Sequence, residues 1–258
     1  MEPYYSDHRA SLYRGEALAV LASLPDASID AVITDPPYSS GGMVRGDRTA
    51  GGSVAKYTST DYVEFSGDNR DARGFAYWMA LWVGECRRIL RPGGLMLMFT
   101  DWRQLPATTD AMQSGGIVWR GILPWHKPNA RRFAGRITTE CEYAVWGSSG
   151  ALPNPLDGGK AYAGFLSYSS PQDREHATQK PVSLMRDLLA PVPGGGTVLD
   201  PFMGSGTTGV ACMIEGRKFV GVEMTAHFAE VAERRIREAQ GQAVDRSAQA
   251  ALDFGAAS

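Results

Sequence analysis

One short stretch of the chain combines a carboxylate, two prolines and an aromatic ring directly after an apolar run: Asp35-Pro36-Pro37-Tyr38. The Asp35 carboxylate and the Pro36 carbonyl are hydrogen-bond acceptors, and two successive prolines fix the directions in which they point. Two fixed acceptors suit an amino group, and the ring of Tyr38 offers a flat face to a planar base. A plain turn with a capping aspartate at the end of a strand is the structural alternative.

A second candidate site lies near the other end of the chain, where the predicted strand Thr197–Asp200 runs into three glycines. Gly204, Gly206 and Gly209 have the spacing G-x-G-x-x-G, which lets a backbone approach a nucleoside cofactor. Glu223, at the end of the next predicted strand, is placed to accept hydrogen bonds from ribose hydroxyls. On the glycines alone, a nicotinamide oxidoreductase and a tight turn beside a surface glutamate both stay open.

Positive charge is concentrated in residues 126–136, which carry four permanent cations and no acid: Lys127, Arg131, Arg132 and Arg136. Such a patch suits phosphates of a nucleic acid, and a solvated charged loop is the alternative. The formal net charge of the chain is -2, which argues against a polyanion as partner unless the contact is local.

The flanks of the glycines and the order of the two sites carry a family resemblance. Asp200-Pro201-Phe202 precedes the glycines, Thr207-Thr208 follows them, and Asp35-Pro36-Pro37-Tyr38 comes earlier in the chain. Together they resemble the amino-methylating DNA methyltransferases of the circularly permuted β group. The resemblance implies S-adenosylmethionine as cofactor, bound by these residues: Glu16, Asp35, Thr178, Lys180, Asp200, Pro201, Phe202, Gly204, Ser205, Gly206, Thr207, Thr208 and Glu223.

Two of these residues have specific roles by resemblance. Gly15-Glu16 stands where the family usually has Gly-Asp, and implies that Glu16 contacts the adenine of the cofactor. The segment Thr178-Gln179-Lys180-Pro181 implies that the Lys180 ammonium meets the methionine carboxylate. For both, a solvated charge at the start of a helix is the alternative.

The resemblance also implies the reaction, which is methyl transfer to an exocyclic amine of a base flipped out of double-stranded DNA. The catalytic residues are then Asp35, Pro36, Pro37 and Tyr38. In the family, Asp-Pro-Pro-Tyr usually accompanies adenine N6 and Ser-Pro-Pro-Tyr cytosine N4, so we expect a site-specific adenine N6-methyltransferase. A cytosine N4-methyltransferase and a non-catalytic DNA-binding regulator are the alternatives. The departing thioether is neutral, and we expect no metal.

The elements that must position these residues alternate between short apolar strands and amphipathic helices, which predicts an α/β sheet covered on both faces. By resemblance this is a Rossmann-like S-adenosylmethionine-dependent methyltransferase fold with a seven-stranded mixed sheet in circularly permuted order. The permuted order places a strand just before Glu16 at the start of the chain. Arg91-Pro92-Gly93-Gly94 is predicted to end a helix before the strand Leu95–Thr100, and the last helix is expected to run to about Ala239.

We expect one methyltransferase domain over residues 1–258 with two irregular segments. Residues 39–60 are rich in glycine and are predicted to form a mobile catalytic loop. Residues 147–176 fall where the family carries its target-recognition segment, and so short an insert suggests a homodimer that shares the recognition. Cys141 stands where the family has histidine, which leaves the role of that position open.

Composition bounds the remaining possibilities. The chain has 258 residues, 43% of them hydrophobic, as in an ordinary globular protein. Its apolar runs are far shorter than the roughly 20 residues that span a bilayer, and its start does not resemble a signal peptide. The three cysteines are widely spaced, which favours a reducing cytoplasm. The family resemblance implies a bacterial or phage-encoded protein.

Overall fold

The computed structural model describes residues 1–37, 72–132, 134–153, 159–171 and 179–255. These residues form one mixed sheet with the strands β1 (Tyr5–Ser6), β2 (Ala10–Arg14), β3 (Ile29–Thr34), β4 (Leu90–Thr100), β5 (Val118–His126), β6 (Cys141–Ser148), β7 (Leu166–Ser167), β8 (Thr197–Asp200) and β9 (Lys218–Glu223). The helices are α1 (Ala17–Ser23), α2 (Ala72–Ile89), α3 (Leu105–Ser114), α4 (Val182–Leu189), α5 (Thr207–Ile214) and α6 (Ala226–Gly255). The strands lie in the order β1-β2-β9-β8-β3-β4-β6-β5-β7.

The strands β2, β9, β8, β3 and β4 are parallel neighbours. They all end at one edge of the sheet, which we call the carboxyl edge. Strand β6 runs antiparallel to β4, and β5 runs antiparallel to β6. Therefore β6 begins and β5 ends at the carboxyl edge as well.

The α/β class is confirmed, but the sheet of the described residues has nine strands instead of the seven expected. The additional strands, β1 and β7, have two residues each and lie at the two ends of the sheet. A two-residue strand is too short to show an alternation of apolar and polar side chains, so the sequence pattern does not reveal it.

The start of the chain lies beside a strand from far along the sequence, as the permuted order requires. Strand β2 pairs in parallel with β9, and Arg14 lies opposite Glu223. The next turn begins with a hydrogen bond from the Gly15 amide to the Glu223 carbonyl, 3.0 Å long. Glu16, which follows β2, and Glu223, which ends β9, consequently stand at the carboxyl ends of neighbouring strands.

Helices cover both faces of the sheet, as expected. Helices α1, α2 and α3 bury an apolar cluster on one face, with Leu21, Trp82 and Met112 among its members. Helices α4, α5 and α6 bury the other cluster, which includes Leu188 and Val210. Strand β3 lies between the two clusters, and this burial on both faces explains its continuous apolar sequence.

Two element boundaries differ from the sequence predictions. Strand β4 begins at Leu90 rather than Leu95, and its pairing with β3 shifts register so that Arg91-Pro92-Gly93-Gly94 bulges from the ladder. Helix α6 continues to Gly255 instead of ending near Ala239. Glycine and proline therefore mark a bulge here rather than a separate loop.

Candidate active site

Acidic side chains from four strands meet at the carboxyl edge. Asp35 follows β3, Asp200 ends β8, Glu223 ends β9 and Glu16 follows β2. The order of the strands is β2-β9-β8-β3, so these residues come from adjacent strands. In doubly wound α/β sheets, ligands bind in the crevice at this edge.

The glycine turn between β8 and α5 is shaped by backbone geometry that only glycine adopts freely. Gly206 precedes α5 with φ of 79°, and its amide donates to the Met203 carbonyl at 2.7 Å. A Cβ atom at this position would lie 2.9 Å from the Ala232 Cβ of α6. Around Gly204, by contrast, a Cβ would meet no atom within 4 Å. One side of the turn, at Gly206, is thus packed against α6, whereas the side at Gly204 is open.

Glu223 lies at this opening, and Glu16 stands at the start of α1 after the neighbouring strand β2. Glu223 is 7% exposed and accepts from the Gly204 amide at 3.1 Å and from the amide and hydroxyl of Thr225, both at 2.8 Å. These three donors fix the carboxylate, which has lone pairs for further donors. Glu16 is exposed and caps α1 by accepting from the Ala19 amide at 3.0 Å.

Asp200 has a structural position that the sequence did not indicate. Its carboxylate accepts from the hydroxyls of Thr34 and Thr208, each at 2.7 Å, and from the Phe202 amide at 3.1 Å. Burial raises the pKa of Asp200 to about 6. Asp200 therefore ties β3 to the start of α5 from beneath the turn.

The remaining residues of the turn are held from behind. Ser205, Thr207 and Thr208 are buried, and Arg235 of α6 donates to the Ser205 hydroxyl at 3.1 Å. No local pattern indicated Arg235, because its contact depends on how α6 packs against the turn.

Phe202 belongs to an aromatic cluster that reaches from the core to the carboxyl edge. Its ring lies 5.5 Å from Trp78 and 5.1 Å from Trp82, both of α2, measured between centroids. Pro201 is buried beside it. The Phe202 ring is partly exposed, and its contact with the cofactor stays a prediction from the resemblance.

Asp35 is held by a buried cation. The Lys180 ammonium, 7% exposed, donates to the Asp35 carboxylate and lies 3.5 Å from Glu142 of β6. Burial lowers the pKa of Lys180, but the nearby Asp35 and Glu142 outweigh it and raise that pKa above its usual range. Pro36 is buried and Pro37 is partly exposed. Tyr38 and Thr178, as well as the predicted loop 39–60, lie outside the described residues.

The predicted phosphate-binding residues divide into two groups. Lys127 turns inward: its ammonium is 2.8 Å from Glu142 and 5.5 Å from the centre of the Trp125 ring. Arg131, Arg132 and Arg136 are exposed in the segment that joins β5 to β6 at the carboxyl edge, and Arg132 pairs with Glu140 at 3.0 Å.

Glu142 is the main site residue that the sequence interpretation missed. The ammonium groups of Lys180 and Lys127 more than offset its burial and hold the pKa of Glu142 below its usual range. An acid near the start of a mainly apolar strand, at Glu142 in Cys141–Ser148, was the available signal. Cys141 is half-buried on the same strand.

The described residues contain neither a metal-binding cluster nor a membrane-spanning helix. Among them, no group of three or more His, Cys, Asp and Glu side chains is arranged to hold a metal ion. None of their helices is both long and apolar enough to cross a membrane.

Known proteins share this arrangement over most of the chain. The profile of the DNA methylase family, N6_N4_Mtase, matches residues 29–234. Type II methyltransferase M2.MboI from Moraxella bovis is 26% identical over 260 residues, which are 92% of this chain and 92% of that protein.

Two solved structures share the fold. PvuII DNA methyltransferase (cytosine-N4-specific) superimposes with a TM-score of 0.69 at 16% identity, over 95% of both chains. The complex of M1.HpyAVI with SAM superimposes with a TM-score of 0.63 at 24% identity, over 88% of this chain and 98% of that one.

The family match includes both Asp35 and the glycine turn, so the two sites that meet at the carboxyl edge belong to one family pattern. The family consists of S-adenosylmethionine-dependent enzymes, and S-adenosylmethionine is accordingly the methyl donor. The chain belongs to the DNA methylase family of adenine N6- and cytosine N4-methyltransferases.

Proposed function

We propose that this DNA methyltransferase modifies N6 of adenine within a specific sequence of double-stranded DNA. The observation that carries the proposal is the position of Asp35 and Pro36 at the end of β3, directly beside the glycine turn. The Thr34 hydroxyl, one residue before Asp35, donates to Asp200 at 2.7 Å. This bond keeps the acceptors and the donor-binding turn in a fixed relation.

The chemistry required of the protein is orientation of a weak nucleophile. Bound S-adenosylmethionine supplies an electrophilic methyl group on a sulfonium. The lone pair of the adenine amine is delocalised into the ring, so the amine must be drawn towards tetrahedral geometry. Asp35 and the Pro36 carbonyl accept hydrogen bonds from its two N–H groups. As the N–C bond forms, the methyl carbon–sulfur bond breaks to leave a neutral thioether, and Asp35 takes up the one proton released by the amine. Tyr38 stacks on the flipped base.

The residues around the turn fit the parts of S-adenosylmethionine. Gly204 leaves room for close approach, and the fixed carboxylate of Glu223 suits the ribose hydroxyls. Glu16, on the neighbouring strand, suits the amino group of the adenine. Lys180, with Thr178 before it, suits the methionine carboxylate, and the partly exposed Phe202 supplies an apolar wall.

Asp200 and the buried residues of the turn are proposed to support the cofactor site without contacting the cofactor through their side chains. Asp200 has its oxygens committed to hydroxyl and amide donors of the protein. We propose that Asp200, Pro201, Ser205, Gly206, Thr207 and Thr208 shape the turn that holds the cofactor.

DNA is proposed to lie across the carboxyl edge. Arg131, Arg132 and Arg136 contact phosphates there, and residues 147–176 recognise the target sequence. A homodimer that presents two such edges stays a prediction, which sedimentation of the protein alone and with DNA would check. We propose that the enzyme, bacterial or phage-encoded, works in the cytoplasm, where the DNA is.

The alternative base is cytosine. Its N4 amine has the same two hydrogens and the same delocalised lone pair, so the acceptors at Asp35 and Pro36 suit either amine. The aspartate in the first position of the tetrapeptide is the feature that favours adenine.

Long-read modification sequencing of DNA from a methylation-deficient bacterial host that expresses the chain tests the proposal. We expect N6-methyladenine at one short motif. N4-methylcytosine at a motif would overturn the adenine assignment and leave the family assignment intact. Mass analysis of digested nucleosides identifies the methylated base independently.

A further inference from the structure

Four charged side chains form a chain of alternating sign that begins at the catalytic aspartate: Asp35, Lys180, Glu142 and Lys127. The Lys180 ammonium contacts Asp35 and lies 3.5 Å from Glu142, while Lys127 lies 2.8 Å from Glu142. The four side chains are only 7% to 24% exposed. Elements far apart in the sequence supply them, since they come from the ends of β3 and β5, from β6 and from the start of α4.

A buried ammonium is costly unless carboxylates compensate it. Asp35 compensates Lys180 in the structure, but methyl transfer needs Asp35 to accept a hydrogen bond from the target amine. Lys180 must then keep its place with less support from Asp35. Glu142 is the second protein carboxylate within reach, and it can hold Lys180 where the methionine carboxylate of the cofactor is proposed to meet it. Lys127 balances the charge of Glu142 on its other side.

We propose that Glu142 is a positioning residue for methyl transfer, which holds Lys180 in place while Asp35 engages the target amine. Lys127 acts through Glu142 and does not contact DNA phosphates. The inference rests on the function of Asp35 in methyl transfer, and it applies to an adenine or a cytosine amine alike.

Charge arithmetic makes the proposal specific. The four groups sum to zero in the wild type. Glu142→Gln leaves a net charge of +1 with Lys127 uncompensated near Lys180, whereas the double variant Lys127→Gln/Glu142→Gln is again neutral. Lys127→Gln alone leaves Glu142 able to hold Lys180. We therefore expect kcat to fall in the order wild type, Lys127→Gln, double variant, Glu142→Gln.

The experiment measures kcat and KM for incorporation of labelled methyl groups into DNA, with calorimetric affinity for S-adenosylmethionine and melting temperature for each variant. For Glu142→Gln we expect kcat at saturating S-adenosylmethionine to fall roughly tenfold or more. Cofactor affinity should also fall, because Lys180 is proposed to meet the methionine carboxylate, but kcat at saturation is the readout of positioning. Glu142→Asp, which keeps the charge, should recover part of the loss. Glu238→Gln, on the exposed surface of α6, is the control and should match the wild type.

Three outcomes would overturn the proposal: an unchanged kcat in Glu142→Gln, a double variant slower than Glu142→Gln, or a loss of kcat that follows melting temperature alone. A raised KM for DNA in Lys127→Gln with unchanged kcat would assign Lys127 to phosphate binding instead. If Glu142→Gln does not fold, the proposal still requires that kcat of the double variant Lys127→Gln/Glu142→Gln is lower than that of Lys127→Gln. Wild-type protein that methylates only cytosine refutes the proposed function and leaves this comparison valid.

Discussion

Three carboxylates at the carboxyl edge differ in role because their surroundings differ. Asp35 pairs with an ammonium and stays partly exposed, so it can meet a substrate. Glu223 is fixed by three protein donors at the mouth of the glycine turn. Asp200 is enclosed, and its hydrogen bonds stay within the protein. Residue type alone does not separate these roles, whereas burial and partners do.

Replacement of Asp35 by alanine tests the assignment of the catalytic acceptor. The change removes one of two acceptors for the target amine, so we expect kcat to fall by roughly a thousandfold or more. Affinity for S-adenosylmethionine should persist, because the turn and Glu223 are untouched. Asp110→Ala, an exposed position on α3, is the control. Normal methylation by the Asp35 variant would remove this residue from the mechanism.

The raised pKa of Asp200 predicts a pH dependence of stability. Its pKa of about 6, against an ordinary value of 3.8, means that the folded protein holds this proton more tightly than the unfolded chain. The contribution of this proton to the free energy of unfolding is therefore complete below about pH 4 and is lost as pH rises through about 6. We expect the wild type to lose about 3 kcal/mol relative to Asp200→Asn over that range.

Denaturant unfolding of both proteins at several pH values, without cofactor, measures this difference. All other titrating groups are shared, so their contributions cancel in the comparison. A constant difference from pH 4 to pH 8 would show that Asp200 titrates normally.

At the scale of elements, the glycine turn depends on α6 as much as on its own sequence. Helix α6 presents Ala232 to Gly206 at close range and supplies Arg235 to the Ser205 hydroxyl. The turn is therefore fixed from behind before a ligand arrives. Such preorganisation reduces the ordering cost of binding.

Alanine substitutions at two glycines distinguish the cost of backbone strain from the cost of a steric clash with α6. Gly206 and Gly216 both have positive φ, 79° and 69°, but only at Gly206 would a Cβ meet another atom, Ala232 at 2.9 Å. We expect Gly216→Ala to cost about 1 kcal/mol in free energy of unfolding and Gly206→Ala about 2–5 kcal/mol. Only Gly206→Ala should also weaken S-adenosylmethionine binding. Equal losses in both variants would mean that α6 yields to the added methyl group.

At the scale of the whole molecule, the distribution of charge matters more than its sum. The chain carries 28 acidic and 26 basic residues, excluding histidine, which gives a net charge of -2 and no general attraction to DNA. Yet Arg131, Arg132 and Arg136 are exposed together at the carboxyl edge. Attraction to DNA must therefore be local, and it should fall with rising salt.

Replacement of these three arginines by glutamine should weaken DNA binding in a salt-dependent way. Each lost phosphate contact is expected to reduce the slope of log affinity against log salt by about 0.9. Cofactor affinity and melting temperature should stay close to wild type. The control removes three exposed arginines elsewhere, Arg87, Arg234 and Arg237. If the two triple variants have the same slope, the edge arginines do not contact phosphates.

The sequence by itself determined the elements and the two motifs, because these depend on local residue order. The apolar run before Asp35 is strand β3, Ile29–Thr34, and the predicted strand Thr197–Asp200 is β8 with the predicted ends. The permuted order followed from the resemblance, because Asp35-Pro36-Pro37-Tyr38 comes before the glycine turn in the chain. The same local signals led to errors at Arg91-Pro92-Gly93-Gly94, where a bulge continues the strand.

Only the tertiary structure decided the partners of the charged residues. Lys127 is one of four neighbouring cations in the sequence, and no local pattern shows that it alone turns towards Glu142. Lys180 meets Asp35 across 145 residues, and Asp200 meets Thr34 across 166. Local propensity fixes strands and turns. The energy of a buried charge depends on neighbours brought together by packing, and such neighbours are not encoded by spacing along the chain.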